Sequence, residues 1–577
     1  MFISLLSAGE FFVGTFWAFV PAIIAIVLAL ITKQVYLSLF AGIFVGAMFL
    51  SNGEPLAAFQ KIFETMAEQL GGNGGILVFL VVLGIFAVLM VKSGGSKAYG
   101  EWASHKIHSK QGAQLATVAF GCLIFVDDYF NCLTVGSVMR PITDKFKVSR
   151  AKLAYIIDST AAPICIIAPI SSWAAAVSGY GEGGIMAFIK TIPFNIYAIY
   201  TIVMMVVFAL LKLDFFKMKR NEKAAENGDL HAGETDLPTE DIKTTHDVKG
   251  KVANLIVPIV ILIVCCVGAM IYNGWSWLHT LTSEELVEEL GKGSYNILDM
   301  FSQCDSSIAL AMGSVIALII TMAYYGIAKV MKFKDIMGSI TEGFKSMVPA
   351  ILILTFAWTL CAMMGAKGEG LVDGVKVLDG TLNAKAFIQS VVNADSMVLG
   401  IIPFVFFALA CFISFATGTS WGTFGTLLPI AIVVMPEANA GLYYLTLSAV
   451  LAGSVYGDHV SPISDTTIMA SSGAQCNHID HVRTQLPYAT IVAIISALTY
   501  LAGGFSAIKV RSYGGMVGIA LGIATVLTAG VIVVLYFLDR SGKLDKIEAA
   551  FRRNKKAAAP AVENPSVAAT VEDDNND

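Results

Sequence analysis

Residues 456–467 read Tyr456-Gly457-Asp458-His459-Val460-Ser461-Pro462-Ile463-Ser464-Asp465-Thr466-Thr467. An apolar run leads into this stretch, so two carboxylates, an imidazole and a proline fall where a membrane helix is normally plain. A carboxylate inside hydrocarbon costs roughly 2.5–3.5 kcal/mol or more and is kept there for function. Earlier in the chain a second stretch has the same character: Ile157-Asp158-Ser159-Thr160-Ala161-Ala162-Pro163, continuing to Pro169-Ile170-Ser171-Ser172. Short, Gly/Pro-broken segments at corresponding places in two halves mark the binding site of a secondary transporter.

Working outward, the 577 residues are 56% hydrophobic and only 14% charged, more apolar surface than a soluble core of this size can use. Runs such as Phe16–Ile31, Ile76–Val91, Val252–Tyr272, Ile308–Met331 and Met516–Leu538 approach the roughly 20 residues that cross a bilayer core of about 30 Å. The fold class is therefore an all-α polytopic membrane protein. The formal net charge of −5 says little, because the charge lies in loops. The nine cysteines follow no framework spacing; most, such as Cys122, Cys165 and Cys266, read as buried small hydrophobes. No basic residue precedes Lys33, so the first apolar run is expected to be a retained helix rather than a cleaved signal.

Lys and Arg mark cytoplasmic loops. Arg140, Lys145, Lys147, Arg150 and Lys152 stand against one acid, Asp144; Lys92–Lys110, Lys329–Lys345, 212–251 and the tail with Arg552–Lys556 are also assigned inside. The acidic stretch 273–305, flanked by Trp275 and Trp277, is assigned outside. Residues 112–139 then begin and end on the same side, in fewer than the about 40 residues that two crossings need. A re-entrant hairpin from the cytoplasm is expected there, and a second one, at 399–435, from the outside. Residues 11–211 are read as spans, hairpin, broken span (about 152–173) and final span. Residues 252–503 repeat that order upside down, with a broken span at about 441–470. An extra span at 514–538 and a disordered cytoplasmic tail at 541–577 follow, and 212–251 is read as a solvated, mobile linker.

Hairpins and breaks are dense in small oxygen donors. In the first half these are Asp127, Asp128, Asn131, Thr134, Asp158, Ser159 and Thr160. In the second they are Thr417, Thr419, Ser420, Asp458, Ser461, Ser464, Asp465 and Thr466, with His459 placed to relay protons or tune Asp458. Na⁺ takes oxygen ligands, which unwound carbonyls and half-helix ends supply. Burial and like charge both favour the protonated form of a carboxyl, so protons and Na⁺ can compete for one group. The plainer reading is that some acids only cap helices or pair with bases, Asp127 and Asp144 with Arg140 or Lys152. Trp173 and Trp421 either line the cavity or pack.

Other patterns fail on context. Gly418-Thr419-Ser420-Trp421-Gly422 matches G-x-S-x-G, but the hydrolase elbow needs a strand–turn–helix. Cys476, His478 and His481 are close together in what reads as a cytoplasmic loop, short of the four ligands of a zinc site. Gly179-Tyr180-Gly181-Glu182-Gly183-Gly184 lacks the strand and helix of a dinucleotide site, and there is no Walker sequence. No enzymatic activity, cofactor or nucleic-acid partner is expected.

Three segments carry a family resemblance. Asp127-Asp128-Tyr129 followed by Thr134-Val135-Gly136, then Gly418-Thr419-Ser420-Trp421-Gly422-Thr423, and Gly457-Asp458-His459-Val460-Ser461-Pro462-Ile463-Ser464-Asp465-Thr466 resemble the NhaC-type Na⁺/H⁺ antiporter family, over most of residues 75–500. The resemblance implies a bacterial inner-membrane secondary transporter, an elevator with two opposed hairpins, and a homodimer. It implies Na⁺ coupling more strongly than any one substrate, because members also exchange malate for lactate or import amino acids. The leading expectation is a Na⁺/H⁺ antiporter, with Na⁺ at a subset of the residues above. The rival is a Na⁺-coupled symporter or exchanger of a small organic solute.

Overall fold

Long runs of Leu, Ile, Val, Phe and Ala become long helices because hydrocarbon offers backbone groups no water, and a helix pairs them internally. Eight helices among the described residues are long and apolar enough to cross a bilayer, or up to ten if each bent pair is one span. They include Gly74–Lys92, Ala253–Leu278, Phe333–Met364, Ala440–Val460, His478–Lys509 and Tyr513–Arg540. This computed structural model describes residues 12–544 and 546, apart from 33, 181–183, 234–249, 291–292, 365–369, 373–374, 378–380, 385–386, 388–396 and 436–438. Most of the expected tail, part of the linker and part of the glycine-rich 179–184 segment therefore lie outside the described residues. The only strands described are a two-stranded ribbon pairing Gly370–Val372 with Val375–Val377.

The helices pack as two groups. In the first, Val20–Thr32, Val35–Leu50, Gly74–Lys92, Ala253–Leu278, Ser306–Ile327 and Phe333–Met364 lie against one another. The second group contains the interrupted segments. Lys110–Leu123 and Asp128–Lys145 form one helix pair, and Ile402–Thr417 and Ser420–Val434 the other. One interrupted segment runs through Arg150–Thr160, Ala162–Cys165 and Ser172–Ser178; the other joins Ala440–Val460 to Asp465–Ala474. Ile196–Leu211 and His478–Lys509 complete this group. A main seam between the groups is Phe333–Met364 against Ser420–Val434. At about 1.5 Å per residue, Lys110–Leu123 spans about 21 Å, too short to cross the core. Met397–Thr417, by contrast, is long enough to cross.

Two expectations are corrected here. The segment 212–251 is not simply a solvated linker, because its first part is a docked helix, Phe216–Glu226, with Met218, Asn221, Glu222 and Ala225 buried. Alternating charge on a short helix looks solvated in sequence, yet here several of the charges have specific partners. Lys217 pairs with Asp480, and Asn221 Nδ2 donates to Asp480 Oδ2 at 2.6 Å. Glu222 accepts from the Ser149 backbone N–H at 2.9 Å and pairs with Lys110 at 2.8 Å, while Lys219 reaches Asp539 at 2.9 Å. Buried Lys152 pairs with Asp214 rather than with Asp127, and lies 5.3 Å from the Tyr488 ring centroid. Asp144 pairs with Arg150 at 2.8 Å. The second correction concerns Cys476, His478 and His481. Asn477 caps a helix that begins at His478, so both histidines are helical rather than in a loop. Among the described residues no His/Cys/Asp/Glu group is arranged to hold a metal.

Candidate transport site

Each interruption leaves N–H groups without an intrahelical partner, and a small polar side chain at the N-cap satisfies one of them. Asp127 accepts from Phe130 N, Ser171 from Ala174 N, Thr419 from Gly422 N and Ser464 from Thr467 N. Asp127, Thr419 and Ser464 are therefore in part structural, as the plainer sequence reading of Asp127 holds. Thr160 and Thr417 donate their hydroxyls to carbonyls one turn back in their own helices, Ile156 and Ile413.

Asp158 and Asp458, the carboxylates of the two interrupted segments, are each built into a network, and their surroundings differ. Asp458 lies in the last turn of Ala440–Val460 and is buried. Ser420 Oγ donates to its Oδ2 at 2.8 Å and Thr466 Oγ1 at 3.0 Å, while Oδ1 has no hydrogen-bond partner. Asp158 is completely buried, two residues before the end of Arg150–Thr160. Its Oδ2 accepts from Gln485 Nε2 at 2.7 Å and Thr467 Oγ1 at 3.1 Å, with His481 Nε2 at 3.3 Å. Thr467 Oγ1 also lies 3.4 Å from the Asp458 carbonyl, so adjacent threonines join the two sites. His459 Nε2 lies 2.9 Å from the Asp158 carbonyl, which only accepts. That nitrogen therefore carries hydrogen, and in the neutral ring Nδ1 accepts from Tyr197 Oη at 3.0 Å. His459 is thus tied to the Asp158 backbone rather than to the side chain of its neighbour Asp458.

The helix pairs meet these breaks at their turns. Asn131 Nδ2 lies 2.8 Å from the Gly121 carbonyl and 2.9 Å from those of Ile124 and Thr160, which fixes the amide and leaves its Oδ1 unpaired. The Val126 carbonyl accepts from Ser172 N, and Trp173 Nε1 donates to Asp128 Oδ2 at 3.1 Å. On the other pair, Ser461 Oγ donates to the Phe415 carbonyl at 2.8 Å. Gly418, between the two arms, has φ +68°, and a Cβ there would come 2.5 Å from the Ile463 carbonyl oxygen. At Gly136 a Cβ would meet the Gly473 backbone at 2.6 Å, so the first pair touches the second broken segment directly.

Of the remaining expected residues, Thr134 and Ser159 are buried in the same group. Asp465 is not brought to Asp458: it opens the Asp465–Ala474 helix and its side chain is exposed. Its position after the break turns it away. Sequence reading missed Thr467, Tyr197, His481 and Gln485 as partners. His481 and Gln485 were legible in principle, being one helical turn apart and so on one face. Nothing in the sequence pointed to Tyr197. Among the described residues, Asp127, Asp128, Asp158 and Asp458 have no Lys or Arg in hydrogen-bond or ion-pair contact. The Gly418–Gly422 motif joins two helices, which is not the strand–turn–helix that a nucleophile elbow needs.

Buried carboxylates between interrupted helices of a multi-pass membrane protein define the class as a secondary transporter. The sequence model of the Na⁺/H⁺ antiporter family matches residues 174–505, and the chain belongs to that family. It is 37% identical to an uncharacterized protein of Haemophilus influenzae over 88% of this chain and 93% of that one. It is 29% identical to the malate-2H⁺/Na⁺-lactate antiporter of Bacillus subtilis over 32% of this chain and 34% of that one. A Haemophilus influenzae protein described as an uncharacterized Na⁺/H⁺ antiporter is 32% identical over 30% of this chain and 34% of its own length.

Proposed function

We propose that the chain is a Na⁺/H⁺ antiporter of a bacterial inner membrane, with Asp458 as the exchanging carboxylate. The observation that carries this reading is the ligand set at Asp458. Its neighbours are hydroxyls, Ser420 and Thr466, and its own Oδ1 is unpaired. A hydroxyl that donates to a carboxylate can instead turn a lone pair toward a cation, so the same three groups serve a proton or Na⁺. Asp158 has a different role in this reading. Besides the Thr467 hydroxyl, Gln485 and His481 present N–H groups to it, and these cannot ligate Na⁺, so in this reading Asp158 is a fixed negative charge that tilts the site toward cations.

The helix pairs act as opposed re-entrant hairpins of an inverted repeat. With the interrupted segments they form a body that moves against the first helix group, which serves as scaffold and dimer contact. The test is Na⁺-triggered proton movement in proteoliposomes of the purified protein. Proton movement on Na⁺ addition alone, lost in Asp458→Asn, is the expected result. Movement of wild-type size in Asp458→Asn removes Asp458 from the exchange.

A further inference from the structure

The Thr466 hydroxyl that reaches Asp458 belongs to the first turn of Asp465–Ala474. Thr160 and Thr417 spend their hydroxyls on carbonyls one turn back in their own helices. A threonine in a first turn has no helical carbonyl four residues back, so its hydroxyl is left for a neighbour. Thr466 and Thr467 both stand in that turn, and consecutive helical residues point about 100° apart. Thr466 therefore serves Asp458 at 3.0 Å, while Thr467 serves Asp158 at 3.1 Å.

The segment that holds this helix at its start also holds it at its end. Arg150 Nη1 donates to the Ala474 carbonyl at 2.8 Å, and Nη2 donates to Asp144 Oδ2 at 2.8 Å. Arg150 opens the helix that carries Asp158, and Ala474 closes the helix that carries Thr467. The two helices pack against each other and run antiparallel. Thr467 and Ala474 are about 10 Å apart along one axis, and Arg150 and Asp158 about 12 Å along the other, so both ends meet at once. The signs match as well. A carboxylate lies at the positive N-terminal end of Asp465–Ala474, and a guanidinium at its negative C-terminal end. The first helix pair closes a further side. A Cβ at Gly136 would come 2.6 Å from the Gly473 backbone, and one at Gly473 would come 2.9 Å from the Cys132 carbonyl oxygen, which leaves little room for a sideways shift.

We propose that Arg150 and Thr467 are positioning residues for the cation at Asp458. They clamp Asp465–Ala474 at both ends, so that replacing a proton by Na⁺ needs only a rotation of the Thr466 hydroxyl and no movement of its backbone. Neither belongs to the ligand set of Asp458, Ser420 and Thr466, and Arg150 is at the far end of the helix from it. The inference rests on the reading of Asp458 as the exchanging carboxylate and adds what holds its ligand still. A ligand already in place lowers the ordering cost of binding. The clamp therefore sets how much Na⁺ is needed, not how fast the loaded protein turns over.

The test is Na⁺-triggered proton movement in proteoliposomes over a series of Na⁺ concentrations, with thermal unfolding of each variant. Thr467→Val keeps the shape and loses the hydroxyl. It is expected to raise the half-saturating Na⁺ concentration about tenfold, the equivalent of one hydrogen bond to a charged group, with the maximal rate kept within about twofold. Thr467→Ser restores the hydroxyl and is expected to return the value to that of the wild type. Arg150→Gln, at the far end, is expected to raise it about threefold, the size of a charge at a helix terminus. Arg150→Lys keeps the charge but loses the planar fork that serves Ala474 and Asp144 together. It is expected to move the value in the same direction, and carries the test if Thr467→Val or Arg150→Gln does not fold. Half-saturating values of wild-type size in the folded variants would overturn the clamp. So would a lower maximal rate at an unchanged half-saturating value, or a Thr467→Ser variant that behaves as Thr467→Val. Asp458→Asn is measured alongside. Flux of wild-type size there sinks the exchange reading and the clamp with it, whereas unchanged Na⁺ dependence in the clamp variants sinks the clamp alone.

Discussion

Around Asp458 the unpaired atoms include three oxygens that only accept: Oδ1 of Asp458, Oδ1 of Asp158 and Oδ1 of Asn131. Around Trp421, one residue from Ser420, they are hydrogen-bond donors on rings. The two regions share a helix and are equally buried, yet their unmet groups are of opposite kind. Unpaired acceptors beside uncompensated carboxylates ask for a cation. Ring N–H groups, which only donate, cannot ligate one. Burial by itself does not make a site; the sign of the unmet hydrogen-bonding need says what the site takes.

The strongest way to break this contrast is Asp458→Asn. It is expected to reduce Na⁺-driven proton flux on the order of a hundredfold or more, the equivalent of the about 3 kcal/mol that removing one partner of a buried charge pair costs. Flux in vesicles checks it, with thermal unfolding to show that the fold survives. Next is Gly418→Val. A β-branched residue at φ +68°, with its Cβ directed at the Ile463 carbonyl, is expected to cost about 3 kcal/mol or more and to lower the unfolding temperature and expression. An unfolding temperature equal to wild type would show that the hairpin turn does not rest on that break.

Asp158→Asn separates the two carboxylates. One carboxylate oxygen collects Gln485, Thr467 and His481, so the amide forfeits charge-assisted bonds. A stability loss of about 2 kcal/mol is expected, larger than that of Asp458→Asn, whose partners are two rotatable hydroxyls. The reverse order would exchange the roles given to them. Tyr180→Phe tests the ring donors of the second region. It removes an unpaired buried hydroxyl and is expected to raise ligand-free stability by about 1 kcal/mol. Cys476→Ala marks the small end of the scale. Its thiol takes no part in either region, so transport is expected to be unchanged, and lost flux would reopen the question of what that helix start binds.

Much of this was legible in the chain. The apolar runs, the two interrupted segments and the presence of Asp158 and Asp458 at those interruptions follow from composition and from prolines and carboxylates out of place in hydrocarbon. Where reading along the chain failed, the reason was a partner far away in sequence. The stretch 212–251 looked solvated because it mixes acids and bases with Gly and Pro, but Lys217 and Asn221 find partners at Asp480, and Glu222 at Ser149 and Lys110. Asp465 looked equivalent to Asp458 because spacing alone does not say which way a residue faces after a break.

The sequence by itself determined that this protein is a helical membrane transporter with carboxylates at broken segments, because the cost of a charge in hydrocarbon is written residue by residue. Only the tertiary structure decided which carboxylate is met by hydroxyls alone, which is also tied down by N–H donors, and that Trp358 meets Tyr180 across the seam. Hydrogen-bond satisfaction is a property of groups that meet in space, and most of those groups lie hundreds of residues apart.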